Sequence, residues 1–559
     1  MVEPHQGNLL GIIPKPAALV LDIYTYAALG VACFIIYPLV HYYLDAKKLR
    51  RFPAASFLAP FTSLWIVSHS LRRKRYVTVY EAHRKLGPVV RLAPDLLSFS
   101  NAKACKEIYS HGAPVVKAEL YSNLGNGVPS MFQIIGKAEH GKRRKLLSHV
   151  FSAKQIYDKE PRVIKLAKAL CRNLEIKARG GMVATTDEYP VVDGAFDVRP
   201  WLNMFAFDVI TAVFWSSPYG FLEKGNDIAP AVDLKNRVFT VHAMDAAHSN
   251  TNFIIPFAQL PRAWWNLIQV VLSHTHGAQS AKNFRSMTRY VVRHRIENPP
   301  AEPDLFTSFP LEPTEKHAHV LTSEELLSEC STMLSAGQDT TQTSLTNCLY
   351  HLCKNPSKLR KLRKVLLDSL PPESQPIASY SDLQRIPLLR AVLDESFRCS
   401  PPLGFGLPRL VTEPGMTIQG HFIPPGVVVG SPLYNIHHDE SLFPDPWSFI
   451  PERWLGGSDP DYSPSAEETE NLKTYVQPFS LGGRSCIGRN MAYMDLSIAI
   501  AALVMEFDWE LRDPDCDIQY VEKLVTNPAA LWVKAKLRPG MDIESQSKRQ
   551  AAMSADLPT

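Results

Sequence analysis

The decisive stretch of the 559-residue chain is residues 479–488, which read FSLGGRSCIG. Its glycines let the backbone turn tightly, and an apolar helix is predicted to follow from Asn490 to Phe507. A cysteine at a helix N-terminus beside an arginine has a lowered pKa. Cys486, two residues after Arg484, is therefore predicted to be an available thiolate, and the one cysteine of nine that does chemistry.

The composition restricts the class of protein that surrounds this loop. Hydrophobic residues make up 45% and charged residues 21% of the chain, which is typical of a globular body. The net charge is only +5, so nothing indicates a nucleic-acid partner. The scattered cysteines, with no Cys-x-x-Cys pair, argue against a zinc ribbon and a disulfide framework. Length alone would suggest three or four domains of ~150 residues.

The N-terminus is predicted to be a membrane address. Residues 23–44 contain no acidic, lysine or arginine side chain and would span ~33 Å as a helix, enough for a ~30 Å hydrocarbon core. A cleaved signal peptide is disfavoured because the stretch is too long and no small-residue cleavage site follows. The basic residues after the span place the body on the cytosolic side. We therefore expect a short lumenal segment over 1–22, a transmembrane anchor over 23–44 and a basic, proline-rich hinge over 45–62.

The remainder of the chain predicts a mainly α fold with a small β portion, of the α+β class. The strongest predicted helix runs from Thr322 to Cys353, because a capping box at 322–325 begins it and Pro356 follows its end. Prolines and short β-like runs follow residue 400. The polar residues 541–559 are predicted to form a disordered tail.

The loop around Cys486 matches a known signature. The pattern F-x-x-G-x-R-x-C-x-G is the haem-binding motif of the cytochrome P450 haem-thiolate monooxygenases, and Phe479, Gly482, Arg484, Cys486 and Gly488 occupy all of its fixed positions. The chain thus resembles this family. The resemblance implies the cytochrome P450 fold, a haem cofactor (iron protoporphyrin) and Cys486 as the axial thiolate ligand of iron. It also implies that Arg484 pairs with a haem propionate and that the glycines allow a close approach of the porphyrin.

A second motif lies in the middle of the long predicted helix. Residues 336–341 read AGQDTT, which resembles the oxygen-binding groove of the family. The resemblance implies that Asp339 and Thr340 are catalytic and deliver protons during the activation of dioxygen. Taken alone, the motif would indicate a slightly bent core helix, because threonine can bond back to the carbonyl four residues earlier.

Three more residues resemble the structural core of the family. Glu395 and Arg398 share one helix face through their i, i+3 spacing, and a surface ion pair worth less than ~1 kcal/mol is the default interpretation. The resemblance instead implies a buried set of Glu395, Arg398 and Arg453 behind the haem.

Upstream residues resemble the propionate-binding positions of the family. His140 stands where many members have tryptophan, and Arg144 lies four residues later on the same helix face. We expect both to reach propionates, together with Arg409. Their neighbours Lys142, Arg143 and Lys145 are predicted to contribute to a docking face for a reductase.

The resemblance implies a membrane-anchored monooxygenase. It would insert one atom of dioxygen into a lipophilic small molecule, with electrons from NADPH–cytochrome P450 reductase and cytochrome b5 as an optional second donor. The expected location is the endoplasmic reticulum membrane, single-pass, with the catalytic domain in the cytosol. Because the motifs join residues from 139 to 489 in one haem site, residues 63–540 are predicted to form a single large domain. An apolar cavity is expected from residues 120–135, Met333, Leu334 and residues 404–407.

The substrate stays open between two uses. Tailoring of a fungal secondary metabolite (a terpenoid or polyketide) is favoured, because no carboxylate anchor is evident. Residues 139–156, 205–227 and 406–424 also look similar to the benzoate 4-hydroxylase group, which hydroxylates aromatic acids. A haem-thiolate isomerase or dehydratase, which needs no reductase, is disfavoured by the intact Asp339 and Thr340, and a non-catalytic haem-binding or sensor protein is a further alternative.

Overall fold

The structure is a computed structural model that describes residues 24–26, 28–125, 127–313, 320–457 and 464–555. The helices, numbered in chain order, are α1 (Tyr37–Leu44), α2 (Leu64–Leu71), α3 (Arg75–Leu86), α4 (Ala102–Tyr109), α5 (Leu120–Asn123), α6 (Lys137–Leu147), α7 (Ala153–Tyr157), α8 (Glu160–Ala178), α9 (Arg199–Trp215), α10 (Phe221–Lys224), α11 (Ala243–Phe257), α12 (Arg262–Val271), α13 (His276–Glu297), α14 (Ser323–Lys354), α15 (Pro356–Ser369), α16 (Tyr380–Leu383), α17 (Pro387–Cys399), α18 (Leu433–His437), α19 (Ala466–Tyr475), α20 (Arg489–Glu506) and α21 (Ile543–Ala555).

The strands form small sheets beside this helical body. They are β1 (Val89–Ala93), β2 (Leu96–Phe99), β3 (Val115–Lys117), β4 (Phe196–Asp197), β5 (Ile228–Val232), β6 (Val238–His242), β7 (Arg409–Val411), β8 (Met416–Ile418), β9 (His421–Ile423), β10 (Val428–Gly430), β11 (Phe507–Leu511), β12 (Tyr520–Glu522), β13 (Thr526–Pro528) and β14 (Trp532–Leu537). The largest sheet has the order β1-β2-β10-β7-β3, and only its β2–β10 pairing is parallel. The helix-rich architecture with a minor β portion agrees with the expected α+β class.

Helix α14 is the central element of the body. Thr322 caps it, and Glu325 completes the predicted capping box. Helix α9 packs along it, and α20 packs against it as well. Gly337 permits the contact with α9, because a Cβ there would lie 2.6 Å from Cδ1 of Ile210. The glycine in the middle of α14 therefore serves close helix packing.

The carboxylate of Glu395 on α17 organises the core beside α14. It accepts two hydrogen bonds of 2.9 Å from Arg398, one of 3.0 Å from Trp454 Nε1 and one of 2.9 Å from the backbone N–H of Ile450. Arg453 Nε lies 3.4 Å from the same carboxylate. Glu395, Arg398 and Arg453 are fully buried. The predicted trio is thus in mutual contact, and it fixes the turn at 451–454 against α17.

The predicted anchor, residues 23–44, is only partly described, because residues 23 and 27 lie outside the described part of the chain. Helix α1 follows a π-helical turn, Ala32–Ile36, and residues 1–23 lie outside the described part of the chain. Within the part that is described, no helix combines the length and apolar character needed to cross a bilayer. Residues of the predicted hinge are bound to the body, since Arg91 donates to Pro53 O at 2.8 Å and Lys47 pairs with Asp95 at 2.9 Å.

The expectation of a disordered tail is wrong for residues 543–555, which form helix α21. The physical reason is tertiary contact. Ile543 is buried in the main core, and the amide of Gln546 donates to the carbonyls of Ile377 and Glu373. Arg549 adds bonds to the carbonyls of Pro372 and Gln375. Residues 556–559 lie outside the described residues.

Replacing Glu395 should destabilise the whole body. Glu395→Ala leaves two buried guanidinium groups without their shared carboxylate, which costs about 3–5 kcal/mol of unfolding free energy. Lys364→Ala is the control, because it breaks an exposed ion pair with Asp368 on α15 and should cost about 0.5 kcal/mol or less. Thermal or denaturant unfolding measures both variants. Equal stability losses in the two variants would contradict the assigned role of the buried carboxylate.

Candidate active site

A cavity of about 640 Å³ lies between the 479–488 loop and the middle of α14. Its lining includes Cys486 and Ile487 from the loop and Ala336, Gly337 and Thr340 from α14. The two most specific sequence motifs, about 150 residues apart, therefore face one space.

Backbone contacts hold the cysteine loop in shape. The N–H of Cys486 donates to the carbonyl of Phe479 at 2.8 Å. Gly482 has φ +65°, and a Cβ there would lie 2.5 Å from the carbonyl oxygen of Tyr109 at the end of α4. This glycine is therefore needed for a close contact with the protein backbone, and its predicted role in the approach of a porphyrin stays a prediction. Gly488 differs, because a Cβ there would reach only to 4.0 Å from Cys486 Sγ.

Phe479 links this loop to the buried core. Its ring contacts the rings of Phe397 on α17 and Tyr493 on α20, with centroid distances of 5.5 and 5.2 Å. Phe397 lies between Glu395 and Arg398 in the sequence. The ion network therefore supports the loop from behind.

The charge state of Cys486 corrects the expectation of a lowered pKa. Burial raises the pKa of the thiol, and the Gly488 N–H, Arg144 and Arg489 offset only part of that effect. The side chain is exposed, and it is exposed to the cavity. A thiol in this environment is deprotonated when it coordinates a cationic metal. It is therefore a suitable donor for haem iron.

A group of cations lies beside the loop: Arg144 and Arg484 line the cavity, whereas Arg409 is buried next to them and is not a lining residue. Arg144 donates to Ser485 O at 2.7 Å, Arg484 to Ile134 O and Ile135 O at 2.9 and 2.7 Å, and Arg409 to the Tyr121 hydroxyl at 2.9 Å. His140 is buried beside them. Its pKa falls to about 3, first because of burial and then because of neighbouring cations that include Arg484.

The sequence reasoning missed Lys117, a further member of this group. Its Nζ donates to Met131 O at 3.1 Å and Phe132 O at 2.6 Å. Burial, followed by the charges of Arg484 and Arg409, lowers the pKa of Lys117 to about 6. Lys117 could have been found from the strand pairing, because Lys117 on β3 lies opposite Arg409 on β7.

The cation group fits the two carboxylates of a haem. Across the described residues, no carboxylate is hydrogen-bonded to Lys117, Arg144, Arg409 or Arg484. Like charges packed in a buried site raise the free energy of each charged form. Propionate groups would relieve this repulsion. The thiol on one wall and the unpaired cations beside it thus fit the haem that the motif implied.

Arg143 corrects another expectation. Its side chain is buried and pairs with Glu325 and Glu329 at the start of α14. It therefore cannot belong to an exposed docking face. Lys142 and Lys145 are exposed.

The acid and the alcohol of α14 have different environments. Thr340 Oγ1 donates to the carbonyl of Ala336 at 2.7 Å. Asp339 is buried, with Asn527 Nδ2 3.5 Å from its Oδ2. Burial acts to raise the pKa of Asp339, but His248, Lys523 and Asn527 outweigh it, so the pKa is lowered. Asp339 is accordingly ionised at neutral pH and able to accept a proton.

The expected substrate walls are only partly as predicted. Leu124, Val128, Met131, Phe132, Met333, Phe405 and Leu407 line the cavity. Tyr121 is instead bonded to Arg409, and Leu334 belongs to the core. Helices α11 and α13 add residues that the sequence did not indicate: Asn250, Thr251, Phe253, Ile254, Lys282 and Arg285.

Comparison with known proteins agrees with this geometry. The family model described as Cytochrome P450 matches residues 58–534. "Benzoate 4-monooxygenase bphA" of Aspergillus niger is 32% identical over 535 residues, which cover 92% of this chain and 98% of that protein. "Cytochrome P450 monooxygenase poxM" of Penicillium oxalicum is 29% identical over 490 residues, covering 86% and 88%. "Cytochrome P450 monooxygenase traB" of Penicillium crustosum is 28% identical over 510 residues, covering 89% and 92%.

The lowered pKa of Lys117 predicts a pH-dependent stability of the haem-free chain. Between its folded pKa of about 6 and its ordinary value of 10.5, the unfolded state binds the proton that folded Lys117 has lost. The free energy of unfolding therefore rises with pH in this window. Lys117→Met should flatten the rise, and haem loading should flatten it in the unaltered protein. Thermal unfolding from about pH 6.5 to about pH 9.5 measures the slope. Lys523, whose pKa is also lowered, accounts for part of the slope at the alkaline end, so a slope that is the same with and without Lys117→Met would contradict the assignment.

Proposed function

The chain belongs to the cytochrome P450 family, and from this premise we propose that it inserts one atom of dioxygen into a lipophilic organic substrate with electrons from an NADPH-dependent reductase. At the level of the family, it is a haem-thiolate monooxygenase, an oxidoreductase with cysteine-ligated haem iron. The observation that carries the proposal is that Cys486 and Thr340 line the same cavity, beside cations that have no carboxylate partner among the described residues.

Different residues of the site would bind the iron and the propionates of the haem. Cys486 would hold the iron, and Lys117, Arg144, Arg409 and Arg484 would bind the propionates. With a pKa of about 3, His140 is neutral at physiological pH, so it would act as a neutral hydrogen-bonding partner. When bound, the haem supplies the binding and activation of dioxygen, while the protein orients and insulates the reaction.

The chain itself supplies proton handling and a dry cavity. The Asp339 carboxylate is ionised and can take up a proton, and Thr340, the next residue, presents its hydroxyl at the cavity wall. Apolar side chains such as Met131, Phe132 and Leu407 exclude water from the space in front of them. Proton delivery confined to α14 favours productive use of dioxygen over the release of peroxide.

For the substrate, we favour a secondary metabolite of terpenoid or polyketide type. The size of the cavity and its mainly apolar lining support a lipophilic molecule. A haem-thiolate isomerase or dehydratase remains the alternative from another class. It would need neither the reductase nor the acid–alcohol pair of Asp339 and Thr340.

An aromatic acid is the second candidate substrate. The relative named benzoate 4-monooxygenase supports it, since the alignment covers 98% of that protein. The structure adds Lys282 and Arg285 on α13, both of which line the cavity. In this proposal Lys282 and Arg285 would anchor the anionic group of the substrate, a pair that sequence reasoning had not found.

We further propose that the protein works at the endoplasmic reticulum membrane, with its catalytic domain in the cytosol. Exposed apolar side chains support this location: Phe57, Leu64, Leu267, Val270 and Val271. Lys142 and Lys145 remain available to an acidic reductase, because they are exposed beside the inward-facing Arg144. Fractionation of cells and carbonate extraction of the membranes test the location. Recovery of the full-length chain in the cytosolic fraction would refute it.

The function is tested by spectrum and turnover. Reduced protein with carbon monoxide should give the shifted Soret band of a thiolate-ligated haem. Cys486→Ala should abolish that band, whereas Cys516→Ala, at another exposed cysteine, should keep it. Thr340→Ala should lower product per NADPH by about 10²-fold or less and raise peroxide, since it removes part of the proton-handling machinery. NADPH-independent conversion of substrate would favour the isomerase class.

Arg285 separates the two substrate classes. Arg285→Gln should weaken the binding of an aromatic acid by about tenfold or more, because a charge-assisted hydrogen bond is worth ~1.5–3 kcal/mol. Binding of a neutral terpenoid should change little. Arg293→Gln, on the same helix but paired with Glu297, is the matched control. Substrate-induced difference spectra measure the affinities. Equal affinities for the acid in all three proteins would remove Arg285 as its anchor.

A further inference from the structure

His248 on α11 faces the acid of the α14 motif. Its Nε2 lies 3.4 Å from Oδ1 of Asp339, and the two side chains are only 13% and 8% exposed. Burial lowers the pKa of His248, so its imidazole is neutral near pH 7 and the contact is a long hydrogen bond rather than an ion pair. Neither atom has a hydrogen-bond partner elsewhere in the described residues. Two buried polar atoms that lack other partners thus point at each other across the interface between two helices.

Other groups around this pair are cationic or neutral. Asn527 on β13 reaches Oδ2 of Asp339, and its own amide oxygen accepts from Gln342 Nε2 at 2.8 Å. Lys523, between β12 and β13, and Arg199, at the start of α9, add positive charge near Asp339. Burial is the first reason that the pKa of Lys523 falls, to about 8. No described carboxylate other than Asp339 acts on His248.

The location of His248 connects this pair to the substrate side of the cavity. It lies on α11, which also supplies Asn250, Thr251, Phe253 and Ile254 to the cavity wall. A change in the position of α11 would therefore change the distance between His248 and Asp339. The position of Asp339 thus depends on a contact with α11 as well as on its own helix, α14.

We propose that His248 is a positioning residue for Asp339: it holds the carboxylate ionised and oriented, so that Asp339 can take up and release the protons that reach Thr340. This inference rests on the proposed monooxygenase function and adds a residue from outside the acid–alcohol motif. The step is a proton transfer only. Asp339 gains a proton from solvent and loses it toward the cavity, so no electron is exchanged in the pair.

The physical consequence of losing His248 has a definite sign. Burial acts to raise the pKa of Asp339, and His248 is the largest influence that lowers it. Without the imidazole, Lys523, Arg199 and Asn527 remain, and the carboxyl titrates at a higher pH. A carboxyl with a higher pKa releases its proton toward Thr340 less readily, so dioxygen is diverted to peroxide.

The experiment compares His248→Met with His248→Gln in the haem-loaded, full-length protein. Both replacements are similar in size to histidine, but only glutamine keeps an N–H donor. We expect His248→Met to lower product per NADPH by roughly tenfold with a matching rise in peroxide, and His248→Gln to restore most of the coupling. His242→Ala is the control, because His242 stands at the N-cap position of the same helix and its side chain contacts Asp227 instead of Asp339. Unchanged coupling in His248→Met across pH would overturn the proposal.

A second measurement needs no turnover. In aspartate-labelled protein, infrared difference spectra report the C=O stretch of a protonated carboxylic acid. That band should persist to a higher pH in His248→Met than in the unaltered protein, and it should be absent from the His248→Met/Asp339→Asn double variant. Persistence to the same pH in His248→Met and the unaltered protein would overturn the proposal. If the unaltered protein makes no product with reductase and NADPH, the monooxygenase proposal fails, while the infrared comparison still decides the role of His248.

Discussion

The buried carboxylate of Glu395 is the constraint on which the rest of the structure depends. A carboxylate removed from water is tolerated only when its oxygens are fully hydrogen-bonded and its charge is paired. Glu395 meets this demand with Arg398, Arg453, Trp454 and the backbone at Ile450. These donors come from α17 and from the segment 450–454, so satisfying one charge fixes two distant parts of the chain. Between the two charged residues of α17 lies the ring that supports the cysteine loop, and the position of the reactive sulfur therefore follows from the core.

The charged groups beside the cavity, unlike those of the core, lack partners of opposite charge. The core pairs every charge of the Glu395 network, whereas Lys117, Arg144, Arg409 and Arg484 converge without a carboxylate partner among the described residues. Stability alone would not favour such a group, because each cation lowers the ionisation tendency of the next. The cost is understandable if an anionic cofactor completes the site. The lowered pKa of Lys117 reflects the same repulsion, together with burial, at a single residue.

Sequence reasoning succeeded where chemistry is encoded by local spacing. The family, the haem cofactor and the enzyme class are confirmed, and the cap at Thr322 and the Glu395–Arg398 spacing lie as predicted. It failed where tertiary contact decides. The place of Lys117 in the site depends on the register of β3 against β7, and that of His248 on a contact between two helices. Arg143 turns inward because it pairs with glutamates at the start of α14. The C-terminal residues are helical because Gln546 is bound to the body. The raised pKa of Cys486 likewise reflects burial, which no local pattern expresses.

The position of His248 has a consequence for how the enzyme can diverge. Helices α11 and α13 carry side chains that face substrate, while the residues that would retain the haem lie on β3, β7, α6 and the cysteine loop. New substrate preferences can therefore arise through changes in one part of the chain without loss of the cofactor. His248 limits this freedom, because a drift of α11 that suits a new substrate also alters the handling of protons. Variants that accept bulkier molecules would then consume more NADPH per product before they lose affinity for substrate. Compensating substitutions are expected around Asn527 and Lys523.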